Sequence, residues 1–529
     1  MSTRAKDDAG GPRRAGPRGW AGLGRGAAKV VQPVPEWRGS TRQVCGLWPY
    51  AIGTGTPMVG VPLGRNMISG ATVCCDPVSW FQRANLISNP SAFVLGLPGL
   101  GKSTLVRRMA AGLAGYGVMP LVLGDLKPDY VDLIEALGGQ VISLGGSRGY
   151  INVLDPGEAT SAAERLTGSA RQMVLADAHD RRLAMVSSLL TILRAAPPGD
   201  REETILDRAL TVLDERHDGV PVLPDLLRII REAPDPVRQV ALDRGSIDRY
   251  QSLTENLEAS LIGLVDGGRL GRTFSRPTSS PMRRDRPVVY DVSHIDDAQT
   301  DLQAAVMLAC WSAGFGMVNV ANALADAGVE PRRHYFVVLD ELWRVLRAGR
   351  GLVDRVDALT RLNRTRGVGT AMISHTMSDL LALPAEQDRM KARGFVERSG
   401  MVIAGGLPGA EMAMLTQAVP LSRAEQEMLI GWQDPPAWDP IHNRETAPPG
   451  RGKFLIKVGG RPGIPVQVQL TSVEMGIHDT NKRWEEVSRV GPVSRPENRL
   501  EDRPEDRPQV RREDRPDDDA ELRGVHPVR

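Results

Sequence analysis

Seven apolar runs in this chain lack the polar/apolar alternation of a half-exposed sheet: "AFVLGL", "MPLVLGD", "QVISLGG", "PVVYDV", "YFVVLDE", "TAMISH" and "MVIAGGL". A strand covered on both faces has no solvent side to mark with polar residues, so such runs point to parallel strands packed between helices. Helical patterns separate most of them, which predicts an α/β fold built on a doubly wound, mostly parallel sheet. At 529 residues the chain exceeds one ordinary domain.

The rhythm breaks once. Between "INVLDPG" (151–157) and "RPVVYDV" (286–292) the strand signal vanishes, and segments such as "RRLAMVSSLLTILRAA" and "VLPDLLRIIREA" carry helical periodicity. This predicts an all-α insertion over 158–285 that divides one core into two parts, 91–157 and 286–475. Short strands are expected before the core, in "VGVPLGRNMISGATVCCDP" within a β-rich lead-in over 43–90, and after it as a hairpin in "GKFLIKVGG" and "IPVQVQL". The uncharged stretch 304–325 is long enough to span a bilayer, yet Gly314, Gly316 and two Asn interrupt it and it lies between two predicted strands. It reads as a buried crossover helix, so no integral membrane segment is expected.

Both ends are expected to be disordered. Residues 1–42 are Gly/Arg/Pro-rich, with nine basic and three acidic side chains and no apolar signal-peptide core; an anionic-surface tether is the most they suggest. Residues 476–529 repeat "EDRP" and, from 491 on, mix nine Arg with eleven acidic residues, as a solvated spacer or a docking motif would. Whole-chain charge is nearly balanced, 66 basic residues against 64 acidic, which argues against a globally electrostatic binder of nucleic acid or membrane. The four cysteines show no CxxC spacing and fit a reducing cytoplasm.

The first run continues into "GLPGLGKST", which satisfies G-x-x-x-x-G-K-[ST] between a strand and a helix. Gly96, Leu97, Pro98, Gly99, Leu100, Gly101, Lys102, Ser103 and Thr104 are therefore expected to cradle the phosphates of ATP. Glycines let backbone N–H groups close around phosphate oxygens, and the helix start adds its positive end. Lys102 would neutralise the β and γ phosphates, and Ser103 would hold Mg2+.

Binding alone is not hydrolysis, which needs carboxylates at the end of a neighbouring strand. "HYFVVLDELWRVL" supplies them: Asp340 for the magnesium shell and Glu341 to orient and deprotonate the attacking water. In "RLNRTRGVGTAMISHTMSDL", the basic cluster Arg361, Arg364 and Arg366 precedes a strand ending in Ser374 and His375. His375 is either a sensor of the γ-phosphate or a satisfied strand-end group. Arg364 and Arg366 either reach across a subunit interface or end a solvated helix. In "GDLKPDY", Asp125 and Lys127 fall near the same crevice, as a helix cap or as ligand contacts.

Taken in order, "LGLPGLGKST", "GDLKPDYVDLIEALGGQVISLGG", "YINVLDPG", the helical insertion, "LVDGGRLGRTFSRPT" and "FVVLDELWRVL" resemble the ATPase domain of the VirB-four/TraC-type proteins of conjugative type IV secretion. The resemblance spans roughly 58–470 and implies a RecA-like motor of the HerA/FtsK branch, a homo-hexamer that energises channel assembly or transfer. It also implies membrane-associated secretion subunits as partners and a cytoplasmic place at the inner face of the membrane. Two departures stand out. His375 occupies the position where these proteins usually carry glutamine, which keeps a donor but makes its charge depend on pH. The large amino-terminal domain of full-length members is not seen before the phosphate loop, as in systems that split it onto a separate polypeptide. Arg364 matches the arginine that opens the family's R-K-x-G-like stretch.

The residues leave two other readings open. A DNA-translocating motor of the coupling-protein or HerA/FtsK kind shares the catalytic core and would contact DNA directly. A non-hydrolysing scaffold would keep only the fold, against which the intact Lys102, Ser103, Asp340 and Glu341 argue.

Overall fold

The computed structural model describes residues 58–477 except 147, 266–269, 271–272, 361–366, 437 and 440–443. The expected termini, 1–42 and most of 476–529, lie outside the described residues, as do Cys45 and the cluster Arg361, Arg364 and Arg366. Each of the seven apolar runs forms a strand: β3 (Ser91–Leu95), β4 (Val118–Asp125), β5 (Gln140–Ser143), β6 (Val288–Asp291), β7 (His334–Leu339), β8 (Val368–Ile373) and β9 (Met401–Ala404). The lead-in contributes β1 (Pro62–Asn66) and β2 (Thr72–Cys74), and the late hairpin β10 (Lys453–Lys457) and β11 (Ile464–Val468).

All eleven belong to one sheet, in the order β2-β1-β11-β10-β9-β3-β8-β7-β4-β6-β5. From β9 to β5 every pairing is parallel. The hairpin then runs antiparallel to β9 and to β1, so segments from the two ends of the described chain close one edge together.

The missing alternation has a direct cause. Along β3, Phe93 and Leu95 enter one hydrophobic cluster while Ala92 and Val94 enter another; along β7, Val337 and Leu339 part from Phe336 and Val338 in the same way. Both faces of the parallel sheet are thus dry, and each strand must be apolar at every position.

Between β5 and β6 the chain is helical, in Ala159–Arg165, Gly168–Arg194, Asp200–Arg216, Leu223–Glu232, Asp235–Ala241 and Ile247–Val265. Their apolar stripes, including Leu189, Leu206, Leu226 and Leu257, extend the cluster that contains Phe93. The insertion is therefore packed on the core instead of being tethered to it. Arg182 ties two of its helices through paired bonds to Asp214 of 2.7 and 2.5 Å.

The uncharged stretch forms the helix Thr300–Asp326 between β6 and β7. It is the one helix among the described residues long and apolar enough to cross a membrane, and 89% of its most apolar window is buried inside the molecule. Its glycines mark close approaches: a Cβ on Gly314 would lie 2.5 Å from Leu123 of β4, and one on Gly316 would lie 2.5 Å from Nε of Arg181.

Because the parallel strands share one direction, the segments leaving β3, β8, β7 and β4 emerge along one edge. That edge carries the crevice where α/β sheets bind ligands.

Candidate nucleotide site

The loop leaving β3 is held open by its own backbone. Gly96, Gly99 and Gly101 have φ of 156°, 79° and 96°, the left-handed region that side chains with a Cβ rarely enter. Neighbouring strand ends fix the loop: Gly96 N donates to the His375 carbonyl (2.9 Å), Leu97 N to Gly406 O (3.1 Å), and Gly452 N to Leu100 O (2.9 Å). The helix Lys102–Gly115 starts here with Gly101 as its N-cap and no side-chain acceptor over its first turn. Its amide donors and the positive end of its dipole thus face the loop, an arrangement that suits phosphate.

Lys102 is buried, and its Nζ donates to the carbonyls of Gly96 (2.7 Å) and Leu97 (3.2 Å) across the loop's mouth. Burial lowers its ammonium to about 8, with the charges of Asp340 and Glu341 pulling the other way. A cation kept in so dry a place is prepared to gain from an incoming anion.

One strand separates the loop from the acidic pair. β8 lies between β3 and β7, and it ends in Ser374 and His375. Ser374 Oγ and His375 Nδ1 are buried without a hydrogen-bond partner.

β7 delivers Asp340 and Glu341. Asp340 accepts from the Glu341 amide (2.8 Å) and from the Tyr130 hydroxyl (3.4 Å). Burial and the adjacent Glu341 charge raise its carboxyl to about 6. Glu341 is a non-glycine residue at φ 50°, a strained conformation of the kind that collects at functional sites. Both its oxygens are engaged: Oε1 faces Lys127 Nζ at 3.3 Å, while Oε2 takes the Trp343 indole N–H at 2.6 Å and lies 3.3 Å from His375 Nε2. Burial alone would raise the Glu341 carboxyl, but hydrogen bonding and charge from His375, with Lys127 and Trp343, hold it at about 2.

The structure thus brings Lys102, Asp340, Glu341 and His375 to one crevice, and Ser103 and Thr104 follow Lys102 on the first turn of its helix. Asp125 braces a turn: its two oxygens accept the amides of Asp129 (3.0 Å) and Tyr130 (2.7 Å), just before the helix Val131–Ala136, whose own first turn has no side-chain cap. Burial pushes its carboxyl up to about 7. Lys127, beyond it, reaches Glu341 instead. Trp343 is the partner of Glu341 that sequence reasoning left without a role; its signal was the D-E-x-W spacing, which sets the indole two residues from the carboxylate it holds.

Among the described residues no group of three His, Cys, Asp or Glu side chains forms a ready-made metal site. The donors present, the Ser103 hydroxyl and the Asp340 carboxylate, nevertheless fit magnesium, which binds through one or two protein oxygens and completes its shell with substrate phosphates and water.

No protein-family model and no curated protein matches the sequence. Among solved structures, VirB4 of Thermoanaerobacter pseudethanolicus superposes with a TM-score of 0.54 over 80% of this chain and 100% of its own, at 18% identity. The chain folds as VirB4 does. The plasmid coupling protein TrwB in complex with ADP and Mg2+ is 12% identical and superposes with a TM-score of 0.46 over 80% of this chain and 97% of its own. What the VirB4 likeness establishes is the RecA-like α/β architecture with its helical insertion. The chemistry of the crevice rests on the residues described above.

Proposed function

We propose that the chain is an ATP-hydrolysing motor of a conjugative type IV secretion apparatus. One observation carries the reading: the order β3-β8-β7, which puts a glycine-rich loop, the polar pair Ser374 and His375, and an acidic pair on three adjacent strand ends of a VirB4 fold. A site that only binds nucleotide has no need of the second and third parts.

The roles follow from position. Lys102 leaves its loop carbonyls for the β and γ phosphates, and the loop amides hold the rest of the chain of phosphates. Ser103 and Asp340 hold magnesium, whose charge, when bound, offsets that of the phosphate oxygens. Glu341 orients the attacking water and takes its proton, and His375 with Ser374 donates to the oxygens that gain charge. Arg364 is assigned to the neighbouring subunit's site in a homo-hexamer. Residues 91–157 and 286–475 form the motor and 158–285 its insertion. Membrane-associated secretion subunits hold the assembly at the cytoplasmic face.

The test is ATP hydrolysis by the purified chain, with and without duplex DNA across a salt series. Turnover independent of DNA supports a secretion motor. Strong DNA stimulation that collapses with salt transfers the chain to the DNA-translocating class, and absence of turnover in any oligomer removes the motor reading. Mixing Arg364→Ala with Glu341→Gln subunits should restore some active interfaces; no recovery at any ratio removes Arg364 from its role in trans.

A further inference from the structure

Where "INVLDPG" leaves the sheet, a cavity of about 320 Å3 opens between that turn, the helix Gly168–Arg194 and the helix Thr300–Asp326. None of its lining residues belongs to the phosphate loop or the acidic pair. Its volume falls in the range of small-molecule sites, and its walls are mostly apolar, with Ile151, Met185, Met282 and Met317 among them.

Arg181 breaks this apolar lining. Its Nη2 donates to the Pro156 carbonyl at 3.1 Å, but its buried Nε has no acceptor. Among the described residues no carboxylate oxygen comes within 4.0 Å of its guanidinium. Its sequence neighbour Arg182, by contrast, is fully paired with Asp214. The long helix makes room for the unpaired arginine by carrying glycine at 316, where a Cβ would press on the guanidinium.

The acidic groups around the cavity have partners other than Arg181, although Glu158 Oε2 is buried with no hydrogen bond beyond its ion pair. Asp155 accepts from the Gly157 amide (2.8 Å) and the Thr278 hydroxyl (2.8 Å), Glu158 pairs with Arg284, and Asp177 takes the Asn319 amide (3.0 Å). Arg181 therefore keeps its Nε donor to spare, with the charges of Asp177 and Asp155 near it but no carboxylate on that nitrogen. A half-buried guanidinium whose Nε lacks an acceptor, with the Asp177 and Asp155 charges near it but outside ion-pair distance, gains from a further acceptor, and its planar fork matches a carboxylate or a similar oxyanion.

We infer that this cavity binds a small organic monoanion with an apolar body, its anionic head taken by Arg181 and its body by the walls. The site joins the insertion to the motor core, since Arg181 belongs to the first, whereas Tyr290 of β6 and the long helix belong to the second. An occupant touches both and stabilises their contact by mass action.

Isothermal titration of the full chain with naphthoate, with its neutral isostere naphthamide, and with the cation naphthylmethylamine tests the inference. Naphthoate should bind once per chain, at least about tenfold tighter than the amide, as a charge-assisted pair requires. Arg181→Met should bring naphthoate down to the affinity of the amide, and Ala313→Phe, which fills the cavity, should abolish binding of both. If circular dichroism shows Arg181→Met unfolded, Arg181→Lys replaces it and should keep a preference for the carboxylate. Binding should persist in Lys102→Ala, so that a failure here is separable from a failure of the ATPase reading. No naphthoate binding, equal affinity for acid and amide, preference for the amine, or dependence on Lys102 would each overturn the inference.

Discussion

The phosphate loop and the acidic pair emerge from strands separated only by β8, yet they are assembled in opposite ways. The loop is made of backbone: three glycines at positive φ, amides at a helix start, and clamps onto the carbonyls of His375 and Gly406. The acidic pair is made of side chains drawn from distant segments, with Tyr130 and Lys127 after β4, Trp343 on the next helix and His375 after β8. A backbone cradle is specified locally and has one job, to hold phosphate. A carboxylate such as Glu341, held by three partners, is specified globally, and its partners set how basic it is. Binding and turnover should accordingly separate by mutation.

The largest separation is expected at Lys102. Lys102→Ala removes the buried cation that faces the loop, and both nucleotide affinity and turnover should fall, turnover by on the order of 1000-fold. Fluorescent-nucleotide titration beside a phosphate-release assay checks this, and near-normal affinity in the variant would break the division between the two regions. At the other strand end the loss should be confined to chemistry. Glu341→Gln should bind ATP normally and hydrolyse it at least about 100-fold more slowly, since the amide cannot take a proton from water. Equal turnover in variant and wild type would remove Glu341 from the base role.

The same contrast explains what could be read from the amino-acid order alone. The seven strands were legible because burial on both faces leaves an unbroken apolar run, and the glycine-rich loop because G-x-x-x-x-G-K-[ST] fits eight consecutive residues. Asp340 and Glu341 were legible as the end of such a run. The holding of Glu341 was not, because Lys127 and His375 stand 214 and 34 positions from it in sequence order and only the strand order β8-β7-β4 brings them together. Asp125 shows the converse: its strand-end position looked equally suited to capping and to ligand binding, and its oxygens instead accept two amides of the turn before the next helix. The cavity at Arg181 left no sequence signal, because an arginine on a helix face reads as solvated and its unpaired state depends on Gly316, 135 residues away.

A smaller effect should appear in the pH dependence of binding, with a different group on each side. The Lys102 ammonium sits near 8, so raising pH through that value removes the charge that attracts phosphate, and affinity for ATP should fall about fivefold from pH 8 to pH 9. The Asp340 carboxyl sits near 6, so lowering pH through that value protonates a magnesium ligand, and the magnesium-dependent part of the affinity should weaken there. Affinity at fixed magnesium should be greatest between the two. Lys102→Arg, charged throughout this range, should flatten the basic side alone. A basic side that survives in Lys102→Arg belongs to another group.

The smallest effect tests the side-chain network most directly. The Trp343 indole N–H lies 2.6 Å from Glu341 Oε2, and the Arg344 and Arg347 guanidinium groups stand 5.1 and 4.6 Å from the centre of its ring. Trp343→Phe keeps an aromatic face for both arginines and removes only the donor. With one donor fewer, the Glu341 carboxylate loses part of the stabilisation that holds it at about 2, and its proton affinity rises. A base so far below neutral pH is a poor proton acceptor, and raising its pKa toward the working pH strengthens it. Turnover by Trp343→Phe should therefore increase about 2–5-fold at neutral pH, with the acid side of the kcat profile moved to higher pH and ATP affinity unchanged. Lys127→Met, which removes the partner on the other oxygen, should move the acid side in the same direction. A fall in turnover with an unmoved pH profile would mean that the indole fixes the direction of the carboxylate and not its basicity. The acidic pair would then resemble the phosphate loop in being set by geometry alone.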